Sequence, residues 1–254
     1  MANGKTEWIK LNPGMEKAAA FLETHRYAAY LGASLGFTKM EGTTVNAKDK
    51  IAYSALQNIQ SSMVAGNAAN VPGNGISVPK QLVAGAVMAL NLKGGQKDTA
   101  GGTINSEWMP VDTKVLLAGE DITADALGNT ANPNNIANPD NLKFSEKMRT
   151  LFIGEDSSQH VNNFLWAYNV DTKQLSRVMS IPAGGESTGL HAVDEINGWT
   201  YIMSNFQHAG DWGAIHSVVK DTLDPMIKAN YKNKNGAAVG YLTAAAKQPS
   251  LNQA

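Results

Sequence analysis

The sequence predicts a mainly β protein: a partial β-propeller of about three blade-like units, with helical insertions near both ends. Three segments share one pattern, in which a carboxylate opens a short β-type run, a turn follows and an apolar strand comes next; they span residues 41–53, 140–152 and 186–201. The step from Asp140 to Glu186 is about 46 residues, close to the repeat of a four-stranded propeller blade. Charged residues make up only 17% of the 254 residues, which is typical of a loop-rich β protein.

The elements follow in a regular order along the chain. Residues 13–31 are predicted to be helical, because Asn12 can cap the helix and Pro13 suits its first position. Blade-like units are predicted at 41–118, 138–182 and 186–210, with 86–92 and 164–171 as equivalent strands and 175–181 as a return strand. A second helical segment follows at 213–231, where Pro225 predicts a kink or a break. The last dozen residues are weakly patterned and are predicted to fray.

The whole chain, residues 1–254, is interpreted as a single domain that forms half of a larger propeller. Three blade-like units do not close a ring, because closure takes at least about four blades. An unpaired β edge is therefore expected. Either the remaining residues form atypical blades, or a second polypeptide or another copy of the chain completes the ring.

Composition excludes several classes of function. The net charge is -1, from 21 basic and 22 acidic residues, and no basic stripe predicts binding to nucleic acid. No apolar run is long enough to predict a membrane span, and the N-terminus lacks the apolar core of a signal peptide. The chain has no cysteine, which excludes disulfides, thiolate metal ligands and a cysteine nucleophile. No His-x-x-x-His pair predicts a zinc site.

The acids that open the three repeats, Glu41, Asp140 and Glu186, are the first candidates for a functional site. Equivalent positions of successive propeller blades converge on one axis, where three carboxylates would repel each other unless a cation held them together. The alternative interpretation of each residue is a solvated carboxylate in a turn.

Three further residues extend this candidate metal site. Asn141, beside Asp140, offers an oxygen of the kind that calcium prefers, although a Pro-Asp-Asn turn explains the same residues. Glu155 and Asp156 end an apolar strand, where paired acids can lie over an axial cavity and offset the charge of a hydrolytic metal centre.

Several long motifs resemble the PhoX-type alkaline phosphatases. The resemblance covers most of residues 8–242 and is most specific between 138 and 210. It implies a six-bladed propeller with an axial cluster of iron and calcium that hydrolyses phosphate monoesters. It also implies export, and hence an extracellular or periplasmic location. The motifs lie at residues 26–33, 37–42, 138–145, 151–156, 162–168, 186–189 and 205–210.

The chain departs from the family pattern in two places. Family chains are much longer, and this sequence resembles their C-terminal half; the cysteine that ligates iron in the family has no counterpart here. The resemblance makes Glu41 a metal ligand and puts a phosphate-binding residue two positions earlier. The family has arginine there and this chain has Lys39, which binds phosphate as a point charge and not through a fork. The alternative function is a non-catalytic binding or assembly module that pairs through an exposed β edge.

Overall fold

The described residues form three antiparallel β-sheets and three α-helices, so the expectation of a mainly β protein is confirmed. The structure is a computed structural model that describes residues 10–34, 36–71, 75–98, 100–231 and 236–245. None of the three sheets closes on itself within these ranges. The first sheet contains β1 (Met40–Asn46), β2 (Ile51–Leu56), β3 (Ala86–Lys93) and β4 (Met109–Ala118). The second contains β5 (Pro139–Ser145), β6 (Thr150–Glu155), β7 (Phe164–Asn169) and β8 (Leu175–Ser180). The third contains β9 (Glu186–Ile196), β10 (Trp199–Gln207) and β11 (Ala238–Ala245).

The three repeats seen in the sequence are the first strand pairs of the three sheets. β1 pairs with β2, β5 with β6, and β9 with β10, each time antiparallel. The backbone two residues before each opening acid is left-handed, with φ of 42° at Lys39, 44° at Asn138 and 75° at Gly184. This conformation is uncommon for a residue other than glycine. Its recurrence at the same offset supports the structural equivalence of the three acids.

The second sheet lies between the other two, and each of its faces is buried against a neighbour. Side chains on one face, including Leu151 and Ile153, pack with Tyr53 and Val87 of the first sheet in the largest hydrophobic cluster. On the opposite face, Phe152 and Leu165 pack against Ile202 of the third sheet. Successive side chains of β6 therefore contact the first and the third sheet in alternation.

Two glycines allow the sheets to approach closely near the opening acids. A Cβ added at Gly42 of β1 would lie 2.5 Å from the carbonyl oxygen of Asp140 in β5. A Cβ added at Gly154 of β6 would lie 2.3 Å from the carbonyl oxygen of Ser187 in β9. Because real Cβ atoms do not approach backbone oxygens so closely, a larger residue at either position would push neighbouring sheets apart.

The helices differ from their predicted bounds. The predicted helix at 13–31 is two helices, α1 (Glu16–Leu22) and α2 (Thr24–Tyr30), with a break at Glu23. Neither contains a buried residue, so no tertiary packing holds them as one helix. At 213–231 a short 3₁₀ turn precedes α3 (Lys220–Tyr231), which runs through Pro225 without a break. Ile227 of α3 is buried against Ala183 and Ala209, which lie before β9 and after β10. This packing offsets the loss of helix stability that Pro225 causes. In the parts of the chain that the structure describes, no helix is long and apolar enough to cross a membrane.

The sequence analysis missed β11. The predicted fraying of the last dozen residues is wrong for 243–245, which end β11, while 246–254 lie outside the described residues. All eight residues of β11 are exposed, so the strand carries no alternating burial from which it could be predicted. Its order comes from pairing with β10 along its full length, from Trp199↔Ala245 to Phe206↔Ala238.

Candidate functional site

Four acids from the three sheets influence one another electrostatically. Burial raises the pKa of Asp140, and the negative charges of Glu41, Asp156 and Glu186 raise it further. Burial also raises the pKa of Asp156, with the charge of Glu186 as the next cause. The sequence predicted that Glu41, Asp140 and Glu186 converge, and in the structure the charges of Glu41, Asp156 and Glu186 all act on Asp140.

The backbone places Asp156 at the site through the same contact that is found in the first sheet. The N–H of Asp156 donates to the carbonyl oxygen of Asn138 at 3.2 Å, and the N–H of Gln57 donates to that of Lys39 at 3.0 Å. Gln57 and Asp156 therefore occupy equivalent positions just after the second strand of their sheets. Their side chains meet, since Gln57 Nε2 donates to Asp156 Oδ2 at 2.9 Å.

Lys39 supplies a positive charge next to Glu41. Its Nζ lies 3.1 Å from Glu41 Oε1, and the two side chains remain partly exposed. Burial acts to lower the pKa of Lys39, but the hydrogen bond to Glu41 and the charges of Glu41, Asp156 and Asp140 raise it overall. Lys39 is therefore a cation at neutral pH that contacts Glu41, and the charges of Asp156 and Asp140 also act on it.

His208 also contacts one of the acids, although it was not predicted as a site residue from the sequence. Its Nε2 lies 2.5 Å from Glu186 Oε1, and its Nδ1 lies 3.0 Å from the carbonyl oxygen of Gly184. Burial acts to lower its pKa, but the hydrogen bonds to Glu186 and Gly184 raise it overall, so the ring donates from both nitrogens when protonated. Gln207 donates to the other oxygen of Glu186 at 2.6 Å. The segment 205–210, one of the family-like motifs, was the signal that could have selected His208.

Asn141 connects the site to the third sheet. Its Nδ2 donates to Asp140, and its Oδ1 accepts from the N–H of Gly189 at 3.1 Å. Both ends of the amide are thus hydrogen-bonded to protein, which makes Asn141 a bridge between β5 and β9. Its Oδ1 keeps one lone pair with which it could contact a cation.

Glu155 lies away from this cluster, fully buried between strands. Its Oε1 accepts from the N–H of Ala137 at 2.8 Å and from Trp166 Nε1 at 2.6 Å. Its Oε2 accepts from the N–H of Phe164 at 2.9 Å and is 3.0 Å from His160 Nδ1. With an exposure of 0% and four neighbours on its two oxygens, the carboxylate is part of the scaffold in this structure.

The register of the repeated strand pairs explains why Glu155 is buried and Asp156 is not a buried strand residue. In the register of the strand pairs, Met40 lies opposite Leu56 in the first sheet, and Pro139 lies opposite Glu155 in the second. Glu155 is therefore equivalent to Leu56, a fully buried apolar residue. An acid in a buried apolar position predicts a hydrogen-bonded carboxylate and not a solvent-facing ligand.

The donor atoms suit a hard cation such as calcium, because they are carboxylate and amide oxygens. A thiolate ligand for iron is excluded, since the chain has no cysteine. Among the described residues, however, no group of three or more His, Asp or Glu side chains is arranged so that it could hold a metal ion. Glu41 and Glu186 instead contact Lys39 and His208, so a cation would have to draw both carboxylates away from these partners.

Comparisons with known proteins add no assignment. No family model matches the chain, and no curated protein or solved structure is significantly similar to it.

Proposed function

We propose that this chain contributes part of a metal-dependent centre that hydrolyses phosphate monoesters, and that its three sheets are successive blades of a β-propeller. The observation that carries the proposal is the convergence of Glu41, Asp140, Asp156 and Glu186 beside Lys39. The reaction itself rests on the resemblance to the PhoX-type alkaline phosphatases. The same resemblance supports iron and calcium as the metals, and export from the cell.

The charge balance of the cluster explains why cations are needed for such a reaction. Four carboxylates outnumber Lys39 and His208, even when His208 is protonated, so an anionic phosphate ester would be repelled from the site as it stands. When bound, calcium and iron would neutralise the carboxylates and polarise the phosphate oxygens. The ligands for calcium would be Glu41, Asp140, Asp156 and Glu186, with Asn141 as a further oxygen, and binding would require Glu41 and Glu186 to turn from Lys39 and His208.

Lys39 would act directly on the substrate. With a cation held by Glu41, the Lys39 ammonium would lose its carboxylate partner and would be free to contact a phosphate oxygen. Its raised pKa keeps it charged, so it can offset the negative charge that develops during phosphoryl transfer. A lysine donates as a single point charge, and we expect weaker orientation of the phosphate than an arginine fork would provide.

We expect the chain alone to hydrolyse phosphate monoesters slowly. A hydrolytic centre needs all its ligands in productive positions, and a displacement of about 1 Å can cost on the order of a hundredfold in rate. The given sequence has no counterpart of the family's cysteine, and the three sheets of the described residues form no closed ring. Co-expression with a polypeptide that resembles the N-terminal half of the family should therefore raise the activity.

Two measurements on the full chain test the proposal. Calcium should raise the melting temperature of chelator-treated protein, because a ligand that binds only the folded state stabilises it. Asp140→Asn should remove most of this shift, whereas Glu107→Gln, at an exposed residue of the first sheet's surface, should retain it. Hydrolysis of p-nitrophenyl phosphate should then depend on Asp140 and Lys39 in the co-expressed protein. An identical melting curve with and without calcium would refute the cation site, and turnover that survives Asp140→Asn would place the reaction elsewhere.

A further inference from the structure

Gln57 and Asp156 hold equivalent positions in two neighbouring sheets, but only Asp156 is an acid. Each donates its backbone N–H to the carbonyl oxygen of the left-handed residue two positions before the opening acid, which is Lys39 in the first sheet and Asn138 in the second. The two side chains meet, with Gln57 Nε2 2.9 Å from Asp156 Oδ2. Acids at both positions would repel each other, whereas the amide of Gln57 makes the contact a hydrogen bond to a charged acceptor.

The neighbours of the Gln57 amide determine which of its ends faces Asp156. Its Nε2 donates to Oδ2 and to the backbone carbonyl oxygen of Asp156, at 2.9 and 3.2 Å. Both neighbours are acceptors, so only the NH₂ end can face them, because the opposite orientation would bring three oxygens together. Gln57 is only 7% exposed, so water can offer little in place of this contact. One side chain therefore holds Asp156 by two hydrogen bonds.

The backbone of Gln57 is itself fixed on both sides. Its N–H donates to the carbonyl oxygen of Lys39 at 3.0 Å, and its carbonyl oxygen accepts from Asn138 Nδ2 at 2.8 Å. The carbonyl oxygen of Asn138 in turn accepts from the N–H of Asp156 at 3.2 Å. A closed set of hydrogen bonds thus joins Gln57, Asn138 and Asp156 across the first and second sheets. A side chain on such a fixed backbone is well placed to orient a functional group.

Asp156 needs to be held in place because its surroundings act against the charged carboxylate. Burial and the charge of Glu186 raise the pKa of Asp156, whereas the hydrogen bond from Gln57 lowers it. In the described part of the chain, the side-chain hydrogen bond of Asp156 involves Oδ2, which leaves Oδ1 for a cation. Partners that stand behind a metal ligand in this way set its orientation and its basicity.

We propose that Gln57 is a positioning residue of the candidate cation site: its amide holds Oδ2 of Asp156, so that Oδ1 is presented to a cation together with the other acids. This inference rests on the proposed function, because it assigns a role within the same site. Gln57 contacts neither a metal nor a substrate in this role and acts only through Asp156. The role also explains the amide at this position of the first sheet, since a fifth carboxylate would add repulsion where an amide supplies a donor.

Calorimetric titration of calcium chloride into the chelator-treated full chain tests this role. Gln57→Met keeps the length of the side chain and loses the donor, and Gln57→Asn keeps the amide and loses its reach. Each should raise the dissociation constant for calcium about tenfold or more, the usual effect of removing a partner from a metal ligand. Gln159→Met is the matched control, since Gln159 is 6% exposed and its Nε2 has no hydrogen-bond partner among the described residues. It should change the dissociation constant by less than about twofold.

A double-mutant cycle separates positioning from a general loss of structure. In a chain that also carries Asp156→Asn, Gln57→Met should change the dissociation constant by less than about twofold, because Gln57 acts only through the carboxylate of Asp156. An equal loss of affinity with and without Asp156→Asn would overturn the role of Gln57. A loss in both Gln57 variants no greater than in the control would overturn it too, and either variant suffices if the other does not fold. A wild-type chain that binds no calcium would instead refute the proposed cation site, and the positioning role with it.

Discussion

Replacing Glu155 with alanine should destabilise the protein strongly without any cation present. The carboxylate is fully buried, and two backbone N–H groups, the Trp166 indole and the His160 ring surround its oxygens. His160 Nε2 lies 3.2 Å from the carbonyl oxygen of Asn132. Both ring nitrogens of His160 are therefore already engaged, and the ring cannot turn to another partner without losing one of these contacts.

The magnitude follows from what the substitution leaves behind. A buried donor without an acceptor costs about 1–3 kcal/mol. Glu155→Ala leaves three such donors, the N–H groups of Ala137 and Phe164 and the indole of Trp166, without their acceptor. We therefore expect Glu155→Ala to lower the free energy of unfolding by roughly 4 kcal/mol or more, a large part of the stability of a typical domain. For a chain of this size the melting temperature should fall by about 10 °C.

Urea unfolding followed by tryptophan fluorescence, with a chelator present, measures this loss. Glu107→Ala is the matched control, since Glu107 has a side chain that is 71% exposed and forms one surface ion pair with Lys50. It should change the free energy of unfolding by less than about 1 kcal/mol. If Glu155→Ala costs no more than the control, the hydrogen bonds of Glu155 do not hold the second sheet together. If instead it abolishes calcium stabilisation while leaving the metal-free protein unaffected, Glu155 is a metal ligand, as the sequence first suggested.

Three further predictions concern the interfaces between the sheets. Gly154→Ala should lower the melting temperature, at a cost of about 1–3 kcal/mol, because the new methyl group meets the backbone of Ser187. Gly240→Ala is the control, since a Cβ at Gly240 lies in open space and should not lower the melting temperature. Equal melting temperatures for the two variants would show that the sheets can separate without strain. Asp156→Asn should raise the melting temperature of the metal-free protein at neutral pH, because burial and like charges raise the pKa of Asp156, and this gain should vanish as the pH falls through that pKa and the wild-type carboxyl becomes protonated. Arg149→Ala should destabilise the protein at neutral pH, because Arg149 lowers the pKa of Asp49 and of Asp171. The difference in stability should disappear as the pH falls through the folded pKa values of these two acids. A difference that persists in acid would mean that the substitution removes packing and not charge.

The strand pairs could be predicted from the sequence because two local patterns agree in them. Period-two alternation and a charged turn occur together at 41–53 and 140–152, and both segments form the first hairpin of a sheet. β11 could not be predicted, since it depends on a partner strand about 30 residues earlier and has no buried face of its own. The break at Glu23 was equally hidden, because helical continuity there depends on packing that α1 and α2 lack.

Part of the candidate site could also be predicted. Glu41, Asp140 and Glu186 were selected because they open the three repeats, and Asp156 was selected because it follows an apolar strand; in the structure the charges of the other three act on Asp140. His208 was not selected, because it enters the site through a left-handed backbone with φ of 43° after β10, a conformation that no local pattern indicated.

The arrangement of β11 also determines which part of the fold opens first. Among the described residues it is an edge strand whose eight residues are all exposed, and it is held by backbone bonds to β10, by the contact between the Tyr241 and Tyr201 rings and by the hydrogen bond from Thr243 to Thr200. Closing the connection of about 30 residues that leads to it costs entropy, and little apolar burial offsets that cost. Its amide hydrogens should therefore exchange with solvent by local opening, far faster than those of β6, while β9 and β10 of the same sheet stay paired.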